Sequence, residues 1–381
     1  MAASGLVSED ERYQMSTQYK LWSFTSEALL ELRSNTNRVA AERVREAVRR
    51  SRTNQSLTTE GTIVQKTSVS DNPVLEEEID CLTVEEELKL VVFYCRQTIQ
   101  LGDHLGLPSD VKATAIQYIK RFYITNSLMT YHPADILKTA LFFATKTENF
   151  YFRLTKFADA IGKTTPEDVL ASEFLLTQGL RFTFDVRHPY RALEGAIMEL
   201  QAISKMGTPA LPGDSSMIGK KPINMERRIK DAHKKARDYL KSSTLLTDVY
   251  FHFTPSQIMV STLMISDEEL TKWYIQLKFP GQETQNLLSK VLNTIEKCTG
   301  MLKAIDPHSE PSTLERKELQ GLAKKLKKCR NPEKMDLVGL QRAKREGEDG
   351  YGAKAIKKRK LAEETQQANT NDIFGPTIKI P

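Results

Sequence analysis

His132-Pro133-Ala134-Asp135-Ile136-Leu137-Lys138-Thr139-Ala140-Leu141-Phe142-Phe143-Ala144-Thr145-Lys146-Thr147-Glu148-Asn149 is the stretch whose reading decides the fold. Ile136, Leu137, Ala140, Leu141 and Ala144 lie on one face of a helix of about 3.6 residues per turn. Phe142 and Phe143 widen that face until little is left for solvent. A helix apolar nearly all round belongs inside a helical domain. Pro133 suits the first helical position, where a missing N–H costs nothing. The helix surfaces only at Lys146-Thr147-Glu148-Asn149. A solvated helix end and a binding surface both fit such a finish. Lys146 and Glu148 are two apart and do not face each other, so each is expected to be free for a partner.

Upstream, Pro108 leads a helix from about Ser109 to Ile124 that ends in Lys120-Arg121-Phe122-Tyr123. Thr83-Val84-Glu85-Glu86 is a capping box, and Leu88, Val91, Val92, Cys95 and Ile99 continue it as an amphipathic helix. A short helix is expected over Leu154 to Ile161. Thr165-Pro166-Glu167-Asp168 opens another, in which Val169, Phe174, Leu175, Leu176 and Leu180 are expected to be buried. That makes five helices between Thr83 and Arg181.

A second set follows. Phe182 to Val186 reads as extended, and His188-Pro189-Tyr190-Arg191 starts a helix. His188 precedes a proline, where turn formation explains it better than catalysis. Gly207 to Pro222 is a loop by its Gly, Pro and Ser content. Met225 to Tyr250 reads as one long helix. Thr254-Pro255-Ser256-Gln257 is a capping box before Ile258, Met259, Leu263, Met264 and Ile265. Ser266-Asp267-Glu268-Glu269 caps a short helix, and Leu287, Leu288, Val291, Leu292, Ile295, Cys298 and Leu302 stripe the fifth. Tyr131-His132-Pro133-Ala134-Asp135-Ile136 aligns with Phe253-Thr254-Pro255-Ser256-Gln257-Ile258, so the chain carries two copies of one five-helix unit.

Around these units, 1–20 reads as a flexible start and 21–50 as an N-terminal helix capped by Thr25 or Ser26. Leu29, Leu30 and Leu32 form its stripe, and Trp22, Phe24, Leu29 and Leu32 are expected to dock it on the body. Arginines gather from Arg43 to Arg52, but Glu42 and Glu46 interleave with them and no aromatic does, which favours a solvated face. The segment 51–75 reads as a flexible loop. The units take 76–185 and 186–305. A last helix with Leu314, Leu319, Leu322 and Leu326 falls in 306–330, and 331–381 reads as a disordered basic tail. In that tail Lys357-Lys358-Arg359-Lys360 fits nuclear import, a nucleic-acid patch or simple solvation.

The chain has 381 residues, 40% hydrophobic and 27% charged, with a net charge of +6. That length allows two domains of ordinary size. No apolar run is long enough for a membrane span, and Met1 to Asp10 lacks the pattern of a signal peptide. Cys81, Cys95, Cys298 and Cys329 fit no metal spacing and read as free thiols. No phosphate loop, dinucleotide glycine pattern, zinc-helix motif or nucleophile elbow occurs. No catalytic residue, cofactor or metal is expected. The residues alone describe an all-α binding protein.

Lys120-Arg121-Phe122-Tyr123, Lys146-Thr147-Glu148-Asn149-Phe150 and His188-Pro189-Tyr190-Arg191 resemble the cyclin box. Leu21 to Arg38, Thr247-Asp248-Val249-Tyr250 and Phe253 to Ile258 are similar to the cyclin H branch of that family, while Gly102-Asp103-His104-Leu105 is closer to cyclin C. The resemblance covers Leu21 to Arg330. It implies an all-α fold of two consecutive five-helix cyclin boxes with added N- and C-terminal helices. It implies a non-catalytic, nuclear subunit that activates a cyclin-dependent kinase of the CDK-activating (CAK) type, with roles in transcription and the cell cycle. The implied partners are that kinase, a RING-finger CAK assembly subunit and the TFIIH core. No membrane and no direct sequence-specific nucleic acid binding are expected. The implied kinase interface is Lys146, Glu148, Asn149 and Phe150. The family usually carries an acidic residue where Asn149 stands, and the basic residue it often has before the preceding helix is replaced by His104 or Gly106. Two other readings stay open: a cyclin-fold general transcription factor that grips promoter DNA, and a cyclin C-type subunit of the Mediator kinase module.

Replacing Lys357, Lys358, Arg359 and Lys360 by Ala in a fluorescent fusion should reduce nuclear accumulation. Unchanged accumulation in live-cell imaging would remove the import role from this cluster.

Overall fold

The computed structural model describes residues 9–59, 79–206, 222–279, 284–309 and 311–330, and these form seventeen α-helices with no strand among them. Most of the expected 51–75 loop, the Gly207 loop and the basic tail lie outside the described residues.

The N-terminal segment holds α1 (Glu9–Met15), α2 (Thr17–Trp22) and α3 (Ser26–Thr59). Two expectations are corrected here. The chain is helical from Glu9 rather than loose to residue 20, because Gln18 and Trp22 of α2 are buried against the body. The helix starting at Ser26 runs to Thr59 rather than stopping near residue 50. No Gly or Pro interrupts it before Gly61, and Arg38–Glu42 and Arg50–Glu46 pairs brace it at i,i+4. Leu30, placed on its apolar stripe, is 55% exposed.

The first unit is α4 (Val84–His104), α5 (Ser109–Thr125), α6 (Pro133–Thr147), α7 (Leu154–Ile161), α8 (Pro166–Leu170) and α9 (Glu173–Gly179). The helix expected from Thr165 to Leu180 is broken at Ala171-Ser172. The break turns Phe174 out to solvent while Val169 and Leu176 stay buried. The innermost helix is α5 rather than α6. From Val111 to Ile124 every α5 residue except Lys112 is buried, Lys120 and Arg121 included. It packs on α3, α4, α6, α9 and α12. Gly179 permits the approach of α9, since a Cβ there would sit 2.5 Å from the Phe122 ring.

The second unit is α10 (Tyr190–Met206), α11 (Met225–Lys241), α12 (Ser243–Leu246), α13 (Val249–His252), α14 (Pro255–Ser266), α15 (Glu268–Lys278) and α16 (Gln285–Lys303), and α17 (Thr313–Lys328) follows. The repeat is visible in packing. α6 lies mainly on α5 and α14 on α11, and both α6 and α14 start with a capped proline. α17 closes over α4 through Leu322, Leu326 and the Lys325–Glu86 pair at 2.8 Å. Leu287 and Leu314, expected on apolar stripes, face solvent.

The expected single helix from Met225 to Tyr250 breaks at Ser242, and the short helices α12 and α13 that follow are turned around an ion cluster. The Lys120 ammonium donates to the carbonyls of Leu245, at 3.5 Å, and of Thr247. Asp248 then receives both ends of the Arg33 guanidinium at 2.7 and 3.0 Å, with Lys120 at 3.4 Å. The three side chains are 11%, 4% and 26% exposed for Arg33, Lys120 and Asp248. Burial opposes ionisation of Asp248. Lys120 and Arg33 outweigh it and hold the carboxyl well below the usual carboxylate range. One ion cluster therefore joins α3, α5 and the α12–α13 turn.

Removing one member of such a buried cluster leaves uncompensated charge, so Asp248→Asn should lower unfolding free energy by about 3–5 kcal/mol. Because the folded carboxyl ionises more readily than the unfolded one, its stabilisation is full above about pH 4 and is lost as pH falls further. Urea melts at pH 6 and pH 3 should show a smaller acid loss for Asp248→Asn than for the parent. Equal losses would remove Asp248 from the acid response.

Candidate functional site

α6 ends in a Schellman turn. Asn149 N–H donates to the Lys146 carbonyl at 3.3 Å and Phe150 N–H to the Thr145 carbonyl at 2.8 Å. This turn places Asn149 in the left-handed region, with φ 56°. Asn is one of the few residues that enter it readily, a local reason for Asn at this position. Phe150 is half-buried against the core rather than presented outward.

The expectation that Lys146 and Glu148 are free is corrected. Lys146 Nζ donates to both carboxylate oxygens of Glu173, at 2.7 and 2.8 Å, and lies 5.0 Å from the centre of the Phe142 ring. Glu148 Oε1 accepts from the Thr114 hydroxyl at 2.5 Å. The pairing with Glu173 was illegible in sequence because 27 positions and two helices separate the partners. The Lys146–Glu173 pair remains accessible, at 43% and 28%. Its sequence neighbours Tyr151 and Phe174 are 87% and 67% exposed. A charged pair on a rigid helix end, with uncovered aromatics in the adjoining segments, is a surface suited to another protein.

Behind this surface runs a hydrogen-bonded chain. Since Thr114 gives its proton to Glu148, its oxygen accepts from His188 Nε2–H at 2.8 Å. His188 Nδ1 then accepts from the Tyr250 hydroxyl at 2.9 Å. Burial, with Arg121 nearby, lowers the imidazole to about 3, so His188 is neutral here. The residue expected to serve only a turn is a node between the two units. Tyr118 secures the same end of α6: its hydroxyl donates to the Phe184 carbonyl at 2.7 Å and lies 3.0 Å from the Thr147 hydroxyl.

The N-terminal docking residues are brought together on the body. Trp22 lies between the guanidinium groups of Arg121 and Arg181, 5.2 and 5.3 Å from the ring centre. Its indole N–H donates to Thr183 at 2.9 Å. Burial lowers the Arg121 guanidinium to about 10. Phe24 donates its N–H to the Phe251 carbonyl at 2.8 Å. Trp22 and Leu29 are buried with Ile124 and Phe251, and Leu32 packs against them. Trp22 and Phe24 reach different units, so the segment bridges both. The nuclear-import candidates Lys357 to Lys360 lie outside the described residues.

Among the described residues no group of His, Cys, Asp or Glu could hold a metal, and no helix is long and apolar enough to cross a membrane. The fold and its surface define a class: a two-unit helical protein that presents one rigid helix end. Residues 93–185 match the cyclin N-terminal domain and residues 188–303 the cyclin C-terminal domain. The chain belongs to the cyclin family.

Cyclin CCL1 of Saccharomyces cerevisiae is 36% identical over 277 residues, 73% of this chain and 63% of that protein. Cyclin mcs2 of Schizosaccharomyces pombe is 30% identical over 84% of this chain and 86% of its own. Cyclin-H of Xenopus laevis is 26% identical over 96% of this chain and 100% of its own. The chain thus spans just under two thirds of the budding-yeast relative. A solved CAK complex of Chaetomium thermophilum bound to ATP-γ-S contains a chain with 41% identity and a TM-score of 0.70. The match covers 90% of this chain and 96% of that one. The yeast TFIIK complex (Kin28/Ccl1/Tfb3) contains one with 30% identity and a TM-score of 0.54, covering 76% and 100%.

Thr114→Val should leave Glu148 and His188 each short of a partner and cost about 1–3 kcal/mol, while Thr114→Ser should restore most of it. Equal urea midpoints for the Val variant and the parent would show that the chain of bonds contributes nothing.

Proposed function

We infer that this protein is the regulatory cyclin of a CAK-type kinase complex. The observation that carries this is the accessible Lys146–Glu173 pair at the rigid end of α6, in a chain 41% identical to one in a solved CAK complex. The function is activation of a cyclin-dependent kinase that phosphorylates other such kinases and the tail of RNA polymerase II. The likeness to a TFIIK chain supports work in the nucleus, with a RING-finger assembly subunit and the TFIIH core as partners. The chain itself is non-catalytic.

The mechanism is positional. A kinase αC helix laid against Lys146, Glu173 and the adjoining aromatics is held so that its glutamate reaches the catalytic lysine. The end of α6 is fixed beforehand by its Schellman turn and by Thr114 and Tyr118. Little additional order is lost on binding, which favours affinity. Glu148 and Asn149 edge the same surface. The N-terminal segment supports it from behind, through Trp22 on Arg121 and Arg33 on Asp248.

Lys146→Glu should weaken kinase binding at least about tenfold, or about 1.4 kcal/mol, with the melting temperature of the free protein nearly unchanged. The exchange Lys146→Glu with Glu173→Lys keeps an internal pair and reverses what a partner meets, so it should also bind poorly. Parental affinity of both variants in titration calorimetry would move the contact elsewhere.

A further inference from the structure

The kinase-facing surface leaves one strongly charged face unused, on α11 in the second unit. Arg227, Lys230, Lys234, Arg237 and Lys241 are all exposed there. At about 100° per residue they fall within about 80° of arc, and at about 1.5 Å per residue they span about 21 Å. The opposite face holds Met225, Ile229, Ala232, Ala236 and Leu240 in the core. The cations therefore lie on a helix fixed from beneath.

Neighbouring acids meet only part of the row, and Glu226 stands exposed beside it. Asp231 stands 3.8 Å from Arg227. Glu194 of α10 lies 3.0 Å from His233 and 3.9 Å from Arg237. Asp238 is 3.9 Å from His308. Lys230, Lys234 and Lys241 make no ion pair among the described residues. Arg191 adds an exposed cation at the start of α10. The adjacent Tyr190 bonds the Leu240 carbonyl at 3.3 Å, which sets that start beside the end of α11.

We propose that this face of α11 binds the phosphate backbone of duplex DNA without reading its sequence. The row is straight, and three of its five cations, Lys230, Lys234 and Lys241, have no acidic partner among the described residues. It has no aromatic on which a single strand could stack its bases and no apolar anchor of the kind a docked peptide helix uses. What it offers is regularly placed positive charge, which is what sequence-independent phosphate binding requires.

The test uses the full chain with Lys357, Lys358, Arg359 and Lys360 replaced by Ala, which removes the densest basic cluster of the tail and leaves the same remaining tail in every variant compared. Binding to a fluorescent mixed-sequence duplex of about 30 base pairs is followed by anisotropy across a salt series. Adding Lys230→Gln, Lys234→Gln and Lys241→Gln should reduce the slope of log affinity against log salt by about 2.7, which is about 0.9 for each phosphate no longer neutralised. Affinity at the lowest salt should fall at least about tenfold. An unchanged slope would overturn the proposal. So would a poly-aspartate chain of matched charge that binds as tightly with the same dependence on the three lysines, since the face would then belong to an acidic protein segment. Neither outcome touches the kinase interface, which lies on α6 and α9.

Discussion

The ion cluster of Arg33, Lys120 and Asp248 is the constraint on which the rest of the structure depends. Each residue comes from a different part of the chain: the N-terminal helix, the innermost helix of the first unit and a turn of the second. An ammonium and a guanidinium are tolerated at such depth only with a carboxylate and carbonyls to meet them. That demand shapes the turn between α12 and α13, because the Leu245 and Thr247 carbonyls serve the lysine. Together with the His188–Tyr250 bond and the N-terminal segment, the cluster fixes the two units against each other.

α5 transmits that placement to the surface. Lys120 points to the second unit, Arg121 to Trp22 of the N-terminal segment, and Thr114 to Glu148 at the end of α6. Tyr118 ties Thr147 to the extended stretch at Phe184. One helix thus carries bonds to the end of α6, the N-terminal segment and the second unit, and packs against α9. This arrangement gives the end of α6 its rigidity, which is what the proposed role asks of it.

The interface and the row on α11 are built in opposite ways. At α6, a lysine and a glutamate neutralise each other, and exposed aromatics adjoin them, a composition suited to a protein partner. On α11, cations stand in line with three of them unpaired, which suits a polyanion. Both rest on apolar faces sunk into their units, so neither surface needs to order itself on binding.

Much of this was legible in the sequence. Capped prolines at Pro133 and Pro255, and the stripes that follow, give two like helical units, because helix starts and apolar periodicity are local properties. Trp22, Phe24, Leu29 and Leu32 identified themselves as a docking set, because large apolar groups that cluster beside a polar segment need cover. Lys146 and Glu148 were recognisable as the polar end of a buried helix. Their partners were not. Glu173 and Thr114 reach them only because α9 and α5 flank α6, and side-chain pairing across helices has no signature in local spacing. The break at Ser242 and the burial of Lys120, Arg121 and His188 were likewise decided by the tertiary structure. Local propensity describes a helix through Tyr250 and two surface cations. Packing between distant segments overrode both, and for the cations the reason is that a buried charge must be met wherever along the chain its partner lies.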